Sequence, residues 1–302
     1  MKIYSAEECP QKSPQWKRLR AWNFTSSELG PFALEPVKIA LNVDQIGAKL
    51  DELGINRKGV KKRDDLLALL PNPELYKELS PGAKTAIISK IKQERVQRIR
   101  DNIAKAMASG EVLQMSAEED ILFAREEELA AKEEKQFSFN IPVNYGNMLE
   151  PFARAFYQDL TGFKVHEVGF VEYGYGMSGF GCSPDGLVSL NSLDNSFTNV
   201  WHHGVEIKCP IPETHIAWLL DGTLPDEHKI QVHACMAVTG LSQWDFLSYC
   251  PGESPLLLTV ERDDFTNQLE AGLKTLVEEK AKMKRVLADK WEASQKLRTI
   301  GS

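Results

Sequence analysis

The 302 residues are 42% hydrophobic with a formal net charge of −7, enough chain to bury one large core with a small extra module, and too acidic overall for a surface that clings everywhere to nucleic acid. No run approaches the roughly 18 consecutive apolar residues that a membrane span needs, and the start MKIYSAEECPQKSPQW lacks the layout of a signal peptide, so no membrane contact and a cytoplasmic location are expected. Five cysteines (Cys9, Cys182, Cys209, Cys235, Cys250), scattered and without a CxxC pair, suggest neither a disulfide framework nor a zinc or iron–sulfur site; reduced, mostly buried thiols are the expectation.

The first predicted element is a helix over SPQWKRLRAW, where Ser13 and Pro14 supply a start signal and Trp16, Leu19 and Ala21 fall near one face. Phe24 to Leu29 turns the chain. Between Val43 and Leu70 two amphipathic helices, DQIGAKLDELG and KKRDDLLALL, flank the link GINRKG. Their leucine spacing and basic middle resemble a SAP-type DNA-binding motif, and equally fit a plain helical hairpin. A long basic helix follows from about Ser80 to Gly110, its apolar stripe made by Ile87, Ile88, Ile91, Val96, Ile99 and Ile103. A second, strongly acidic helix is predicted over Ser116 to Gln136, with Ser116 and Glu119 as a capping box. Their opposite charges suggest pairing as a hairpin or arm, although charge runs of this kind are usually solvated faces.

Beyond Tyr145 to Leu160, which reads as helix, the pattern changes. KVHEVGFVEY, GCSPDGLVSL and WHHGVEIKCP are rich in β-branched and aromatic residues at alternating spacing and predict three neighbouring strands. THIAWLLDG and EHKIQVHACMAVTG read as helices, WDFLSYC and LLLTVE as strands, and Asp264 to Leu297 as a long terminal helix. Helices flanking a central mixed sheet make the class α/β or α+β.

Three residues in this region carry chemistry. Residues two apart on a strand share a face, so Glu206 and Lys208 project together while Val205, Ile207 and Cys209 turn to the core. Asp185, at the end of a neighbouring strand, can reach the same space. Two converging carboxylates suit Mg²⁺, with Mn²⁺ as a substitute, and a lysine made neutral by burial and a nearby metal could take a proton from water. Glu-x-Lys also occurs at Glu133, Glu227 and Glu278, but those lie in charged or helical segments; the pair at Glu206 lies in an apolar β-pattern about twenty residues beyond a Pro-Asp-Gly turn. His202 and His203, beside that strand, are read as structural.

SPDGLV followed by GVEIKCP resembles the signature of the lambda-exonuclease or YqaJ-type viral recombinases, a family of the PD-(D/E)XK superfamily. YGNMLEPFARAFY looks like the family helix whose glutamate completes the metal site, which assigns Glu150, with Arg154 one turn later. KIQVHACM resembles the glutamine motif and assigns Gln231; WKRLRAWNFTSSEL resembles the segment that holds a terminal 5′-phosphate and assigns Arg20 and Ser27. The resemblance covers about residues 14 to 29 and 144 to 261, which leaves a longer insertion than the family usually carries.

The resemblance implies a PD-(D/E)XK nuclease domain over residues 1–30 and 141–302, with a mainly helical insertion at 31–140 holding the SAP-like hairpin at about 43–70. It implies a metal held by Asp185, Glu206, the Ile207 carbonyl and Glu150, with Lys208 and Gln231 attending the water, and Arg20, Ser27 and Arg154 on the DNA. The activity expected is Mg²⁺-dependent 5′-to-3′ digestion of linear double-stranded DNA, leaving a 3′ single strand for recombination. A single-strand annealing protein and a homotrimer are the expected partners, in a bacterial host cytoplasm if the chain is phage-encoded. An endonuclease or structure-specific nickase on the same core, or a non-catalytic DNA-end binder, are the alternatives.

Overall fold

The computed structural model describes residues 1–109, 123–129, 131, 132, 141–173, 179–189 and 201–300, with the backbone alone for 141–144 and 294–300. The predicted capping box at Ser116 and Glu119 lies outside these residues. So does the hairpin tip beyond Ser189.

The mixed α/β class expected from the sequence is present. Strands β5 (Lys164–His166), β8 (Gly186–Ser189), β9 (His203–Lys208), β10 (Gln243–Ser248) and β11 (Leu256–Glu261) form one sheet in the order β11-β10-β9-β8-β5. Only β9 and β10 run parallel within it. The parallel connection is made by helices α6 (Pro212–Asp221) and α7 (Asp226–Thr239), as a parallel pair requires a crossover rather than a tight turn. A second sheet has the order β1-β6-β7-β2, from β1 (Lys2–Ser5), β6 (Val168–Glu172), β7 (Phe180–Cys182) and β2 (Phe24–Thr25).

Two of the expected strands are divided between these sheets. KVHEVGFVEY leaves the larger sheet after His166 and enters the smaller one at Val168. GCSPDGLVSL makes the reverse passage, leaving β7 at Cys182 and entering β8 at Gly186. Pro184 at this corner has no N–H to give to a ladder. Gly186 is required just beyond it, since an added Cβ would lie 2.3 Å from Val165 Cγ1 and 3.1 Å from Val205 Cγ1. Asp185 therefore sits where two sheets meet.

Both faces of the larger sheet are covered. On one, Leu187, Trp244 and Phe246 pack with Val232 and Met236 of α7 and with Leu269, Leu273 and Leu276 of α8 (Asp264–Ile300). On the other, Val165, Val188, Val205, Ile207 and Leu247 pack against Ala153 and Tyr157 of α5 (Ile141–Thr161). β9 thus turns Val205 and Ile207 to α5 and Glu206 to α7, the alternation predicted from period two, but both of its faces are buried.

Toward the N-terminus, α1 (Pro14–Trp22) is capped by Ser13, whose Oγ accepts from Trp16 N at 3.1 Å, with Pro14 in the first turn. The helices α2 (Val43–Glu52) and α3 (Arg63–Ala68) enclose their own small core of Ile46, Leu50, Leu66 and Leu70. They are bracketed by an antiparallel pair, β3 (Val37–Ile39) and β4 (Lys77–Leu79). The long helix α4 (Pro81–Ser109) contributes Ala83 and Ile87 to the main core. The acidic stretch 123–129 is helical and lies against α4 through ion pairs Lys92–Glu126 (2.8 Å) and Arg100–Glu127 (2.6 Å). Among the described residues, no helix is long and apolar enough to cross a membrane.

Candidate active site

The antiparallel register sets Gly186 opposite Val205, so Asp185 stands beside Glu206 at the corner between the sheets. Its Oδ2 accepts from the Ile207 N–H at 2.7 Å, which ties the corner to the edge of β9. Glu206 has no exposed surface. Its Oε1 accepts from Gln231 Nε2 at 2.6 Å and from Lys208 Nζ, while its Oε2 is buried with no hydrogen-bond partner. Gln231 reaches the carboxylate from α7, one turn beyond His228 on the same helical face.

Asp185, Glu206, Lys208 and, farther off, Glu150 feel one another's charge here. Burial, then the charge of Asp185, pushes the Glu206 carboxyl from 4.5 up to about 7. Burial, followed by Asp185, also raises Glu150. For Lys208 burial is the largest influence and acts downward, but Glu206 and Asp185 together outweigh it, and its pKa ends above the ordinary lysine value. Without a metal Lys208 is therefore an ammonium clamped on Glu206, whereas the neutral form expected from the sequence was tied to a nearby metal. His228, missed by sequence reasoning, is held down to about 4 by burial and then by Lys208, so an uncharged imidazole borders the centre.

Glu150 and Arg154 form an ion pair one turn apart on α5, Nη2 to Oε1 at 2.6 Å, and Arg154 Nη1 also reaches Glu167 at 3.0 Å. Arg154 is thereby engaged by two carboxylates. His203 faces the other side of the sheet, where Tyr157 Oη lies 2.8 Å from its Nε2 and donates to Asp245 at 2.6 Å. That buried network braces β9 and β10 against α5.

Could these residues hold a metal ion? Among the described residues no group of three or more His, Cys, Asp and Glu side chains closes on a common point. The set implied by the resemblance is smaller on the sheet itself, Asp185, Glu206 and the Ile207 carbonyl. A buried carboxylate oxygen without a partner is costly, and a hard cation binds such oxygens by preference. The unpartnered Oε2 of Glu206 and the lifted pKa of its carboxyl make this donor set fit one.

Arg20 and Ser27 are brought together, Nη2 donating to Oγ at 3.0 Å. The guanidinium lies over the Trp16 ring, 4.5 Å from its centroid, and Trp16 Nε1 donates to Ser183 Oγ at 2.8 Å. A short relay of contacts therefore joins this pair to the corner carrying Asp185. Lys90 supports it from behind: 3% exposed, its Nζ donates to the Arg20 carbonyl and to Glu28, both at 2.9 Å. The signal for Lys90 was a lysine placed between Ile87 and Ile91 on the apolar side of α4.

The model of the YqaJ-like viral recombinase domain matches residues 102–242. Residues 102–242 are similar to that domain, a little under half of the chain. The resemblance read from SPDGLV and GVEIKCP is thus borne out, and the matched stretch includes Glu150, Asp185, Glu206, Lys208 and Gln231, while Arg20 and Ser27 precede it. Among solved structures the chain is similar to an alkaline exonuclease, LHK-Exo, from Laribacter hongkongensis, with TM-score 0.47, 22% identity, and 92% of this chain and 99% of that one covered. The structure of LHK-Exo in complex with dAMP aligns with TM-score 0.45 and 23% identity over 92% of this chain and 99% of that one. Among curated proteins, none matches the sequence significantly.

Proposed function

We propose that the protein is a metal-dependent deoxyribonuclease that digests linear double-stranded DNA from a 5′ end and leaves a 3′ single strand for recombination. The observation that carries this reading is the unpartnered, buried Oε2 of Glu206, whose Oε1 is held by Lys208 and Gln231 and whose charge feels Asp185, in a stretch similar to the YqaJ-like viral recombinase domain. Asp185, Glu206, the Ile207 carbonyl and Glu150 would hold Mg²⁺, with Mn²⁺ as a substitute. When bound, the ion stabilises negative charge on the phosphate and lowers the pKa of a water. The protein's own groups orient the rest. Lys208 donates hydrogen bonds and holds positive charge beside the scissile phosphate, and the Gln231 amide fixes the Glu206 carboxylate. Arg20 and Ser27 anchor the terminal 5′-phosphate, because a planar guanidinium meets phosphate oxygens with two hydrogen bonds, and Arg154 lies along the bound strand.

Polarity follows from that anchor. Arg20→Ala is expected to cut faster digestion of 5′-phosphorylated over unphosphorylated ends by about 10-fold or more, the worth of one or two charge-assisted hydrogen bonds. Equal preference in variant and wild type, measured with end-labelled duplexes, would take Arg20 out of the end site.

The enzyme is expected to form a homotrimeric ring with a basic channel, which reconciles DNA binding with a charge of −7, and to work beside a single-strand annealing protein. The insertion at 31–140, with its SAP-like hairpin, is assigned to gripping duplex ahead of the centre. The decisive experiment is time-resolved digestion of end-labelled linear duplex, either end phosphorylated, with Mg²⁺ and with EDTA, beside a circular plasmid. Mononucleotide release from the phosphorylated 5′ strand and an intact circle are expected. Degradation of the circle would point to an endonuclease, and binding of ends without release to a non-catalytic end binder.

A further inference from the structure

A cavity of about 480 Å³ opens between α1 and α4 and is lined by Arg20 together with Lys17, Lys92 and Arg100. Among the described residues two carboxylates line it, Glu28 and Glu126. Glu28 is engaged from behind by Lys90 and, at 3.7 Å, by Arg20. Glu126 belongs to the helical stretch 123–129 and pairs with Lys92 at 2.8 Å, and its neighbour Glu127 pairs with Arg100 through Nη2 at 2.6 Å and Nε at 3.1 Å.

Lys92 and Arg100 are eight residues apart on one helix, about 12 Å along its axis. A DNA strand presents one phosphate per about 3.4 Å of duplex axis, so a strand lying along α4 would carry three or four phosphates past this pair. Carboxylates stand where phosphates would stand. The row of cations begins at Arg20, which the contacts through Trp16 and Ser183 connect to the Asp185 corner.

We propose that the groove between α1 and α4 is a binding site for the phosphate backbone of DNA, taking the strand complementary to the one whose 5′ end Arg20 holds, and that Glu126 inside the groove and Glu127 beside it hold Lys92 and Arg100 when DNA is absent. This deepens the nuclease reading and rests on it for the identity of the polyanion. The ligand takes the two cations and the acidic stretch gives them up. Neutral replacement of the two glutamates removes the competitor, whereas loss of the two cations removes the site.

The test is equilibrium binding of a short 5′-phosphorylated linear duplex in EDTA, over a series of salt concentrations, with metal-dependent cutting measured separately. Glu126→Gln/Glu127→Gln is expected to tighten binding by about 5- to 30-fold, since each removed charge is worth about 1 kcal/mol in water at contact distance. Lys92→Ala/Arg100→Ala is expected to weaken binding and lower the slope of log affinity against log salt by about 2. Thermal melting confirms that both variants are folded. Binding by the Glu126→Gln/Glu127→Gln variant that is unchanged or weaker overturns the proposal, and an altered oligomeric mass at unchanged DNA affinity overturns it in favour of a protein interface. If the affinities move as expected and no variant or wild type cuts, the groove stands and the nuclease reading falls. If cutting persists while the affinities stay put, the nuclease reading stands and the groove falls.

Discussion

Lys208→Ala and Asp185→Ala are each expected to lower the rate of nucleotide release by about 10² to 10⁴-fold, the usual loss when a group acting on the reacting atoms is removed, while affinity for duplex in EDTA is expected to stay within a few-fold. The reasoning starts from what each side chain touches. Asp185 accepts from the Ile207 N–H and shares its charge with Glu206 and Glu150, so its removal takes away one proposed metal ligand and loosens the corner that presents the others. Lys208 bonds Glu206 and little else among the described residues. Neither side chain lines the groove proposed for the backbone. Cutting and binding therefore separate, and single-turnover kinetics beside a filter-binding titration reads both. Activity retained to within about 10-fold, under 1.4 kcal/mol of barrier, would remove the residue from the reaction. Lys208→Arg distinguishes two roles: an arginine keeps the positive charge but cannot take up a proton at neutral pH, so substantial retained activity means that Lys208 acts as the cation seen here.

How far the sequence foretold this centre depends on the kind of fact. Glu206 and Lys208 were legible because period two on an apolar strand leaves two polar side chains on one face, and that alternation is local. Gln231 was legible through its motif, and the structure places its amide on Glu206. The corner at Asp185 was not, because hydrophobic alternation continues through GCSPDGLVSL while the chain changes sheets, and sheet membership depends on partners far away. β1 escaped for the same reason, since its partner β6 is some 165 residues along. The burial of Lys90 was hidden in a helix whose basic residues read as solvated. The charge of Lys208 without a metal was not legible, because burial and two carboxylates act in opposite directions and the outcome is set by distances that no spacing rule supplies.

Those opposed charges lead to the second large effect. Glu206→Gln is expected to make the metal-free protein more stable at pH 8 while abolishing cutting and the stabilisation that Mg²⁺ gives. A carboxyl whose pKa stands at about 7 folded and near 4.5 unfolded resists ionisation in the native state. Folding is therefore penalised by its charge in full above pH 7, and the penalty fades as pH falls toward 4.5. Two and a half units at 1.36 kcal/mol each bound the penalty at about 3 kcal/mol. The amide returns part of this, because its nitrogen replaces the unpartnered Oε2 in a buried place and Lys208 loses an anion. A net gain of about 1 to 2 kcal/mol remains, a rise of roughly 2 to 6 °C in melting temperature for a chain of this size. With Mg²⁺ the order reverses, since a ligand bound at 100 times its Kd stabilises the wild type by about 2.7 kcal/mol and the variant lacks the site. Melting curves at pH 5 and pH 8, in EDTA and in Mg²⁺, test this. A variant less stable than wild type in EDTA at pH 8 would make Glu206 an ordinary structural carboxylate. The expected pattern would mean that the strand stores its unfavourable charge for a cation, with binding and catalysis drawing on the same unpartnered oxygen.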